Sequence, residues 1–157
     1  MTDDAVINSH LEGTDRGYTI TRTFAAPREL VWQAWTTPEQ FAVWFGGPTT
    51  TMPDIAMDVR PGGAWSGTMV LPDGGKISWG GQFLELDPLS RLVLTLNDQG
   101  MLGAEYETMT VTLTEVPDGT RVVLRQSGGH LSDEQYAAAM HGTGTFLDAM
   151  AVLLAGG

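Results

Sequence analysis

Alternating apolar and polar residues in the middle of the chain set the strongest limit on what it can fold into. In residues 108–116, TMTVTLTEV, every second residue from Met109 to Leu113 is apolar and the residues between them are threonines. Residues 92–96 and 122–124 alternate in the same way. Strands with this pattern form an antiparallel sheet that is apolar on one face only, so another element must cover that face.

Turn residues divide the chain between about residue 52 and residue 127 into six such segments. Pro-Gly, Pro-Asp-Gly and Asp-Pro sequences separate them at intervals typical of hairpins. A seventh strand, rich in β-branched and aromatic residues, is predicted earlier in the chain. The predicted strands are residues 18–24, 55–60, 64–71, 76–86, 91–97, 106–116 and 120–127.

Three helices are predicted around this sheet. The first begins at Pro27, a residue that suits a first helical turn, and the second begins at Thr37, which can form a capping box with Gln40. The third begins at Ser132 and runs to about residue 155, a length of roughly 33 Å that is enough to cross the sheet. A stripe at intervals of four and three marks one face of it, formed by Tyr136, Met140, Thr143, Leu147, Met150 and Leu154.

This order of elements predicts an α+β fold, β-α-α-β-β-β-β-β-β-α, in which a curved antiparallel sheet wraps around a long C-terminal helix. The length of 157 residues suits one domain. We assign residues 18–157 to that domain. Residues 1–17 show no sustained periodicity and are expected to form a flexible N-terminal arm.

The charge of the chain excludes several kinds of partner. Eight Lys and Arg stand against nineteen Asp and Glu, for a net charge of -11. Nucleic-acid binding requires a basic stripe, which this sequence lacks. There is no cysteine, so disulfides and thiolate chemistry are excluded as well. Since no signal peptide or membrane-spanning segment is predicted, we expect a cytoplasmic protein without membrane insertion, and a homodimer is left open.

Carboxyl groups at strand positions are the first candidates for catalysis. Glu85 and Glu107 are such residues, and a carboxyl group inside an apolar pocket can act as a general acid or base. The alternative is an ordinary surface ion pair, for example between Glu85 and a nearby Arg, or between Asp58 and Arg60.

The three histidines offer less. His10 lies in the expected N-terminal arm, and His130 and His141 lack the spacing of metal ligands. His141 neighbours the stripe of the last helix and could reach the rim of a cavity. We predict no metal site and no cofactor.

Aromatic residues are concentrated at the first two helices. In WTTPEQFAVWFGGP (residues 35–48), four of fourteen residues are aromatic, and three of the five tryptophans of the chain fall between residues 32 and 44. The chain also has eight methionines, which adapt to varied apolar shapes. These side chains either fill the core or wall a ligand cavity, since both are mostly apolar.

Five segments, in order, resemble the family named for the activator of heat-shock-protein-90 ATPase, within the START and birch-pollen-allergen-like superfamily, also called SRPBCC. They are APRELVWQAWTTPEQFAVWFGGP, MDVRPGGAWSGTM, GGQFLELDPLSRLVLTL, TMTVTLTEVPDGTRVVLRQSG and GTGTFLDAMAVLL. The resemblance covers about residues 18–155. It implies the helix-grip fold, with a cavity for apolar or aromatic molecules between the sheet and the last helix.

Two positions depart from the pattern of that family. The family commonly has two tryptophans before Gly-Pro, where this chain has Trp44 and Phe45 followed by two glycines. The family also commonly has Gly-Trp in the last helix, where Thr143 follows Gly142 here. Threonine in place of a ring removes on the order of 100 Å² of buried apolar area, which predicts a larger or more polar cavity unless neighbours collapse into it.

The first hypothesis is therefore a protein that binds a small hydrophobic or aromatic molecule between sheet and helix. The residues expected to line the cavity are Trp35, Phe41, Trp44, Trp65, Met69, Trp79, Phe83, Met109, Met140, Thr143 and Leu147. Which face of the middle strands points inward is left open. The alternatives are a cyclase-, aromatase- or hydrolase-like enzyme with His141, Glu85 or Glu107 at the pocket, and a co-chaperone-type protein-interaction module.

Overall fold

The computed structural model describes residues 6–13, 17–47, 49–97, 107–128 and 131–156. These residues form one eight-stranded antiparallel sheet and three helices. The strands are β1 (Val6–Gly13), β2 (Gly17–Phe24), β3 (Ala56–Met57), β4 (Ala64–Val70), β5 (Lys76–Asp87), β6 (Arg91–Leu96), β7 (Glu107–Val116) and β8 (Gly119–Ser127). The helices are α1 (Arg28–Thr36), α2 (Pro38–Trp44) and α3 (Asp133–Gly156). The architecture is the α+β helix-grip fold that the order of elements predicted.

The strands follow the order β1-β2-β8-β7-β6-β5-β4-β3 across the sheet. From β3 to β8, each strand pairs antiparallel with the next strand in the chain. Strand β8 then pairs with β2, so the end of the strand series returns to its beginning. The turn residues between the strands thus correctly predicted hairpin connections.

The N-terminal arm was predicted wrongly for residues 6–13. These residues form β1, which pairs antiparallel with β2 along its length. Strand β2 has β8 on its other side, so β1 satisfies backbone groups that β2 would otherwise leave unpaired at an edge. Pairing of this kind depends on the backbone and does not need an alternating sequence. Residues 1–5 and 14–16 of the expected arm lie outside the described residues.

Burial alternates along the strands as the sequence predicted. On β7, Met109, Val111 and Leu113 are buried, and the threonines between them are partly exposed. Leu147 and Met150 of α3 are fully buried in the same hydrophobic core. Helix α3 is therefore the element that covers the apolar face of the sheet.

An ion pair connects β2 to the middle of α3. The guanidinium of Arg22 donates to the Asp148 carboxylate at 2.8 Å and to the backbone carbonyl of Gly144 at 3.4 Å. The side chain of Arg22 is largely buried, whereas that of Asp148 is largely exposed. These contacts fix the position of α3 over the start of the sheet.

The two predicted capping boxes differ in the structure. At the start of α3, Ser132 and Gln135 bond reciprocally: the Gln135 amide donates to the Ser132 hydroxyl at 3.1 Å, and the Ser132 amide donates to Gln135 Oε1 at 2.8 Å. At the start of α2, Thr37 occupies the capping position without a side-chain hydrogen bond, so that prediction was wrong. The amides of Gln40 and Phe41 donate instead to the backbone carbonyl of Thr37, at 3.0 and 2.8 Å.

Two glycines end α2 and set the position of Phe45. Gly46 and Gly47 have φ values of 101° and 93°, in the left-handed region that favours glycine. A Cβ atom on Gly46 would collide with the hydroxyl of Thr50 and the side chain of Met69. This tight turn buries Phe45 directly after the helix.

Helix α3 is long and apolar enough to be considered as a membrane span, with a mean hydropathy of 1.2 over an 18-residue window. Its face with Thr143, Leu147 and Met150 is buried in the domain, however. We therefore interpret α3 as the core helix of the domain, which passes the same test of length and composition.

Candidate functional site

The size of the side chains on the buried face of α3 varies along the helix, and a cavity lies beside its first half. From Leu147 onward the buried residues are mostly large, and they belong to the packed core. The residues of α3 that line the cavity before Leu147 include Ala138, Ala139, Gly142 and Thr143. Small side chains cannot fill the space that opens between helix and sheet here, and a cavity of about 320 Å³ remains.

The wall of this cavity is mainly apolar. Its residues come from the position directly after α2, from strands β5 to β8, from the segment before α3 and from α3 itself. They are Phe45, Trp79, Leu96, Glu107, Met109, Gln126, Leu131, Gln135, Ala138, Ala139, Gly142, Thr143 and Phe146. None of these described lining residues is a lysine or an arginine, and Glu107 is the one that can carry a negative charge.

A chain of buried polar side chains runs along one side of the cavity. The hydroxyl of Tyr18 lies 2.6 Å from that of Thr143 and donates to Gln126 Oε1 at 2.7 Å. Gln126 Nε2 in turn donates to Glu107 Oε1 at 3.3 Å. Because Tyr18 has a single proton and gives it to Gln126, the hydroxyl of Thr143 must be the donor in their contact. All three hydrogen bonds therefore point the same way, toward the carboxylate of Glu107.

The surroundings of Tyr18 keep its hydroxyl in the protonated form. Burial raises the pKa of the Tyr18 phenol well above its usual range, the hydrogen bond from Thr143 lowers it, and the nearby Glu107 raises it further. Burial dominates, so the pKa is raised overall. A protonated Tyr18 is required for the donor direction of the chain, since a phenolate could only accept.

Two polar atoms at the cavity have no hydrogen-bond partner among the described residues. One is Oε2 of Glu107, a side chain that is only 2% exposed, and the other is Nε1 of Trp79. Buried polar groups in proteins are nearly always paired, so two unpaired groups on one cavity wall are unusual. They are an acceptor and a donor that are buried within residues of the cavity wall.

The predicted lining residues divide into two groups. Trp79, Met109 and Thr143 line the cavity. The other eight do not: Trp35, Phe41, Trp44, Trp65, Met69, Phe83 and Leu147 are buried in the packed core, and Met140 is partly buried against it. These eight residues are not part of the wall of this cavity.

The aromatic residues of the first two helices pack against one another instead of lining the cavity. Phe41 stacks on Phe45 with ring centroids 4.8 Å apart and contacts the edges of Trp44 and Trp65 at 4.9 and 5.5 Å. The indole nitrogens of Trp44 and Trp65 donate to backbone carbonyls at 2.7 and 2.9 Å. Contacts of this kind satisfy both the rings and their N–H groups, so these tryptophans are structural.

Phe45 joins this aromatic core to the cavity. Its ring packs on Phe41 from one side, and on Trp79 and Phe146 from the other, with centroid distances of 5.4 and 5.1 Å. Sequence reasoning noted Phe45 only as a departure from a family pattern. The turn formed by Gly46 and Gly47 is the local reason why its ring is placed at the cavity.

The three catalytic candidates lie in different environments. His141 is exposed on α3, and Glu85 is exposed on β5, where the Arg91 guanidinium donates to it at 2.9 Å. Only Glu107 points into the cavity. The predicted surface pair of Asp58 and Arg60 is present, at 2.8 Å.

The other two histidines lie elsewhere in the chain. His10 belongs to β1, and His130 lies outside the described residues. Within the described ranges, no group of three or more His, Asp and Glu side chains could hold a metal ion.

Sequence reasoning missed the polar residues Tyr18 and Gln126. A signal for both was present, because Tyr18 shares the inward parity of Ile20, and Gln126 shares that of Val122 and Leu124. Polar residues in phase with the buried face of a strand are candidates for an internal polar site.

Comparison with known proteins adds a family and a fold. The sequence pattern of the family described as "Activator of Hsp90 ATPase homolog 1-like protein" matches residues 25–155. No curated protein matches the chain. Many solved structures do match it.

Three of these structures illustrate the likeness. A protein from Nitrosomonas europaea is 26% identical, with a TM-score of 0.76 over 90% of this chain and 96% of that one. A protein from Rhodobacter sphaeroides is 19% identical, with a TM-score of 0.79 over 95% of this chain and 99% of the other. A protein from Arthrobacter aurescens is 23% identical, with a TM-score of 0.79 over 97% and 93% of the two chains. The last two are too distant in sequence to show more than a common fold.

Proposed function

The chain belongs to the family of Activator of Hsp90 ATPase homolog 1-like proteins, and from this premise we propose that it binds a small, mainly apolar molecule in the cavity beside the first half of α3. The fold of this family binds hydrophobic ligands between sheet and helix. The function proposed for this chain is that of a cytoplasmic binding protein for such a ligand.

The observation that carries this proposal is the cavity itself. Its volume of about 320 Å³ falls in the range of roughly 300–1,000 Å³ that is usual for ligand pockets. Rings and aliphatic side chains make up most of the wall, and the few polar groups converge from Glu107, Gln126 and Thr143. This combination of an apolar wall with a few placed polar groups is typical of small-molecule sites.

Thr143 supports the same proposal. A large ring at this position would project from α3 into the space that the cavity occupies. Threonine leaves that space open, and its hydroxyl forms a hydrogen bond of 2.6 Å with the hydroxyl of Tyr18. Thr143 is itself one of the residues that line the cavity, so its neighbours leave this space open.

A pair of leucine variants tests whether the cavity is the binding site. Gly142 lines the cavity and Gly144 does not, and a Cβ atom at either position would meet open space. The wild type is screened by thermal shift against fatty acids, sterols, flavonoids, polyketide-like aromatics and aromatic amines. We expect at least one compound to raise its melting temperature. Gly142→Leu, which fills the cavity, should abolish that shift, and Gly144→Leu should keep it.

Two results would contradict the proposal. One is that no compound of the panel stabilises the wild type. The other is that a compound stabilises Gly142→Leu as much as it stabilises the wild type, because the ligand would then bind elsewhere.

Glu107 favours one second candidate, an enzyme of the cyclase or hydrolase kind. A carboxylate with a free oxygen inside an apolar cavity is placed to take a proton from a bound substrate. For such an enzyme, Glu107→Gln should lower turnover of a poly-β-ketone or ester substrate by about 100-fold or more while binding is retained. Equal turnover in Glu107→Gln and wild type would remove this candidate.

A further inference from the structure

The directed hydrogen bonds beside the cavity specify what its ligand must offer. Thr143 donates to Tyr18, Tyr18 to Gln126, and Gln126 to Oε1 of Glu107. Each donor in such a chain strengthens the next, and the chain ends on the carboxylate. Nothing among the described residues donates to its second oxygen, Oε2. The cavity wall therefore contains an unsatisfied acceptor, buried at the end of a fixed polar chain.

The charges around this acceptor favour a cationic donor over an anionic group. The described lining residues include no lysine or arginine, so an anionic ligand would meet Glu107 without any compensating charge. The protein as a whole carries a net charge of -11, which attracts cations and repels anions at long range. Both effects act in the same direction.

The size of the cavity limits the apolar part of the ligand. An apolar cavity of about 150 Å³ accepts one benzene molecule, so about 320 Å³ suits roughly two fused rings or a chain of similar volume. Phe45, Trp79 and Phe146 lie on the apolar part of the wall, and the ring of Phe45 contacts both of the others. Flat aromatic rings can pack against such a surface.

We propose that this cavity selects an apolar amine of about two rings in size, whose protonated nitrogen donates a hydrogen bond to Oε2 of Glu107. This inference rests on the proposed function, because it names the chemical class of the ligand for the same cavity. Glu107 is the specificity-determining residue. The hydrogen bond from Gln126, and through it Tyr18 and Thr143, holds the carboxylate in position.

Three naphthalene derivatives of nearly equal size separate the contribution of the polar group from that of the rings. They are 2-naphthylmethylamine, 2-methylnaphthalene and 2-naphthoate. Their dissociation constants are measured by NMR titration on the full chain at pH 7. The wild type should bind the amine about ten-fold or more tightly than the hydrocarbon, as expected for a hydrogen bond between charged groups. The carboxylate should bind most weakly.

Two variants then assign the preference to one residue. Glu107→Gln keeps the shape of the side chain and an oxygen that can accept from Gln126, but it removes the charge. It should lose the preference for the amine and still bind 2-methylnaphthalene. Glu85→Gln removes the same charge from an exposed site outside the cavity, so it controls for the net charge and should keep the preference. If Glu107→Gln does not fold, Glu107→Met serves as the second variant.

The possible outcomes distinguish a failure of the amine preference from a failure of the proposed binding function. If all three probes bind the wild type equally, or if 2-naphthoate binds as tightly as the amine, the amine preference is wrong and the binding function stands. A preference that persists in Glu107→Gln, or that disappears equally in Glu85→Gln, also overturns the role of Glu107. If none of the probes binds the wild type, the proposed cavity function itself fails.

Discussion

The two halves of α3 lie over the same sheet, yet one covers a filled core and the other a cavity. In the second half, Leu147, Met150 and Leu154 are buried in the hydrophobic core. The space described there is a smaller pocket of about 220 Å³, which Leu153 and Leu154 share with residues of α1 and α2. In the first half, Gly142 and Thr143 face the sheet, and the space stays open. The backbone arrangement is shared, so the difference lies in the size of a few side chains.

The pairing of buried charged groups also differs between the two halves of α3. Beside the second half, the buried Arg22 is paired with Asp148 at 2.8 Å and its charge is compensated within the protein. Beside the first half, Glu107 accepts from Gln126 with one oxygen and leaves the other unpaired. Trp35 Nε1 is unpaired in the packed core as well, but the cavity wall carries two unpaired atoms, and one of them belongs to a carboxyl group.

Matched leucine truncations should show the largest difference between the halves. Leu147 is fully buried in the filled half, and Leu96 lines the cavity. Leu147→Ala should lower the free energy of unfolding by about 4 kcal/mol, in the upper part of the usual range of about 2–5 kcal/mol. Leu96→Ala should lie near the bottom of that range, because its side chain already faces empty space and loses fewer contacts.

Urea unfolding of both variants measures this difference, with the slope of the transition as a check on two-state behaviour. Equal losses for Leu96→Ala and Leu147→Ala would mean that the cavity is filled or collapsed in solution, and the contrast between the halves would not hold.

Removal of the Tyr18 hydroxyl should have the next largest effect, and its size should depend on pH. At pH 8, Tyr18→Phe should cost about 1–3 kcal/mol, because Gln126 and Thr143 each lose a hydrogen-bond partner. The pKa of Tyr18 is raised in the folded state, so its contribution to stability is fully present below the unfolded pKa of about 10. It is lost as the pH rises above that value toward the folded pKa.

The wild type should therefore lose stability relative to Tyr18→Phe by up to about 1.4 kcal/mol per pH unit above pH 10. Chemical unfolding of both proteins at pH 8, 10 and 11 measures the gap, and other tyrosines cancel in the comparison. A gap that stays constant from pH 8 to pH 11 would show that Tyr18 is not held in a protonated, buried state.

The sequence predicted the packed core beside the second half of α3 better than the cavity beside its first half, for a physical reason. Alternation and helical spacing reveal which residues point inward, and they correctly predicted the buried face of β7 and the stripe of α3. They do not reveal which inward-facing side chains contact one another and which face an empty space. The cluster of Trp35, Phe41 and Trp44 was therefore indistinguishable from a cavity wall, since core and cavity are lined by the same residue types.

The absence of a side chain was the more useful signal. Thr143, where the resembling family commonly has a ring, lies on the wall of the cavity beside α3. What it could not show is which strand residues face the gap, because this depends on pairing across distant strands. The approach of Gln126 to Glu107 follows from the register between β7 and β8 and from both side chains pointing inward. The pairing of β1 with β2 was missed for the same reason.

Alanine substitutions at Gly142 and Gly144 should have the smallest effect, and they test whether the cavity is open. A glycine inside a helix costs about 1 kcal/mol relative to alanine. A Cβ atom at Gly142 or at Gly144 meets no atom within 4 Å, so each Gly→Ala change should stabilise the protein by about 1 kcal/mol. Gly46→Ala is the opposite control, because its φ of 101° and the contact with Met69 should make it destabilising.

Melting temperatures of the three variants measure these effects, and the signs matter more than the sizes. If Gly142→Ala destabilises the protein while Gly144→Ala stabilises it, the space in front of Gly142 is occupied in solution, by a closer approach of the sheet or by a bound molecule. Mass spectrometry of the purified protein under native conditions distinguishes the two, since a bound molecule adds mass. If the mass is increased, a bound molecule fills the cavity beside the first half of α3.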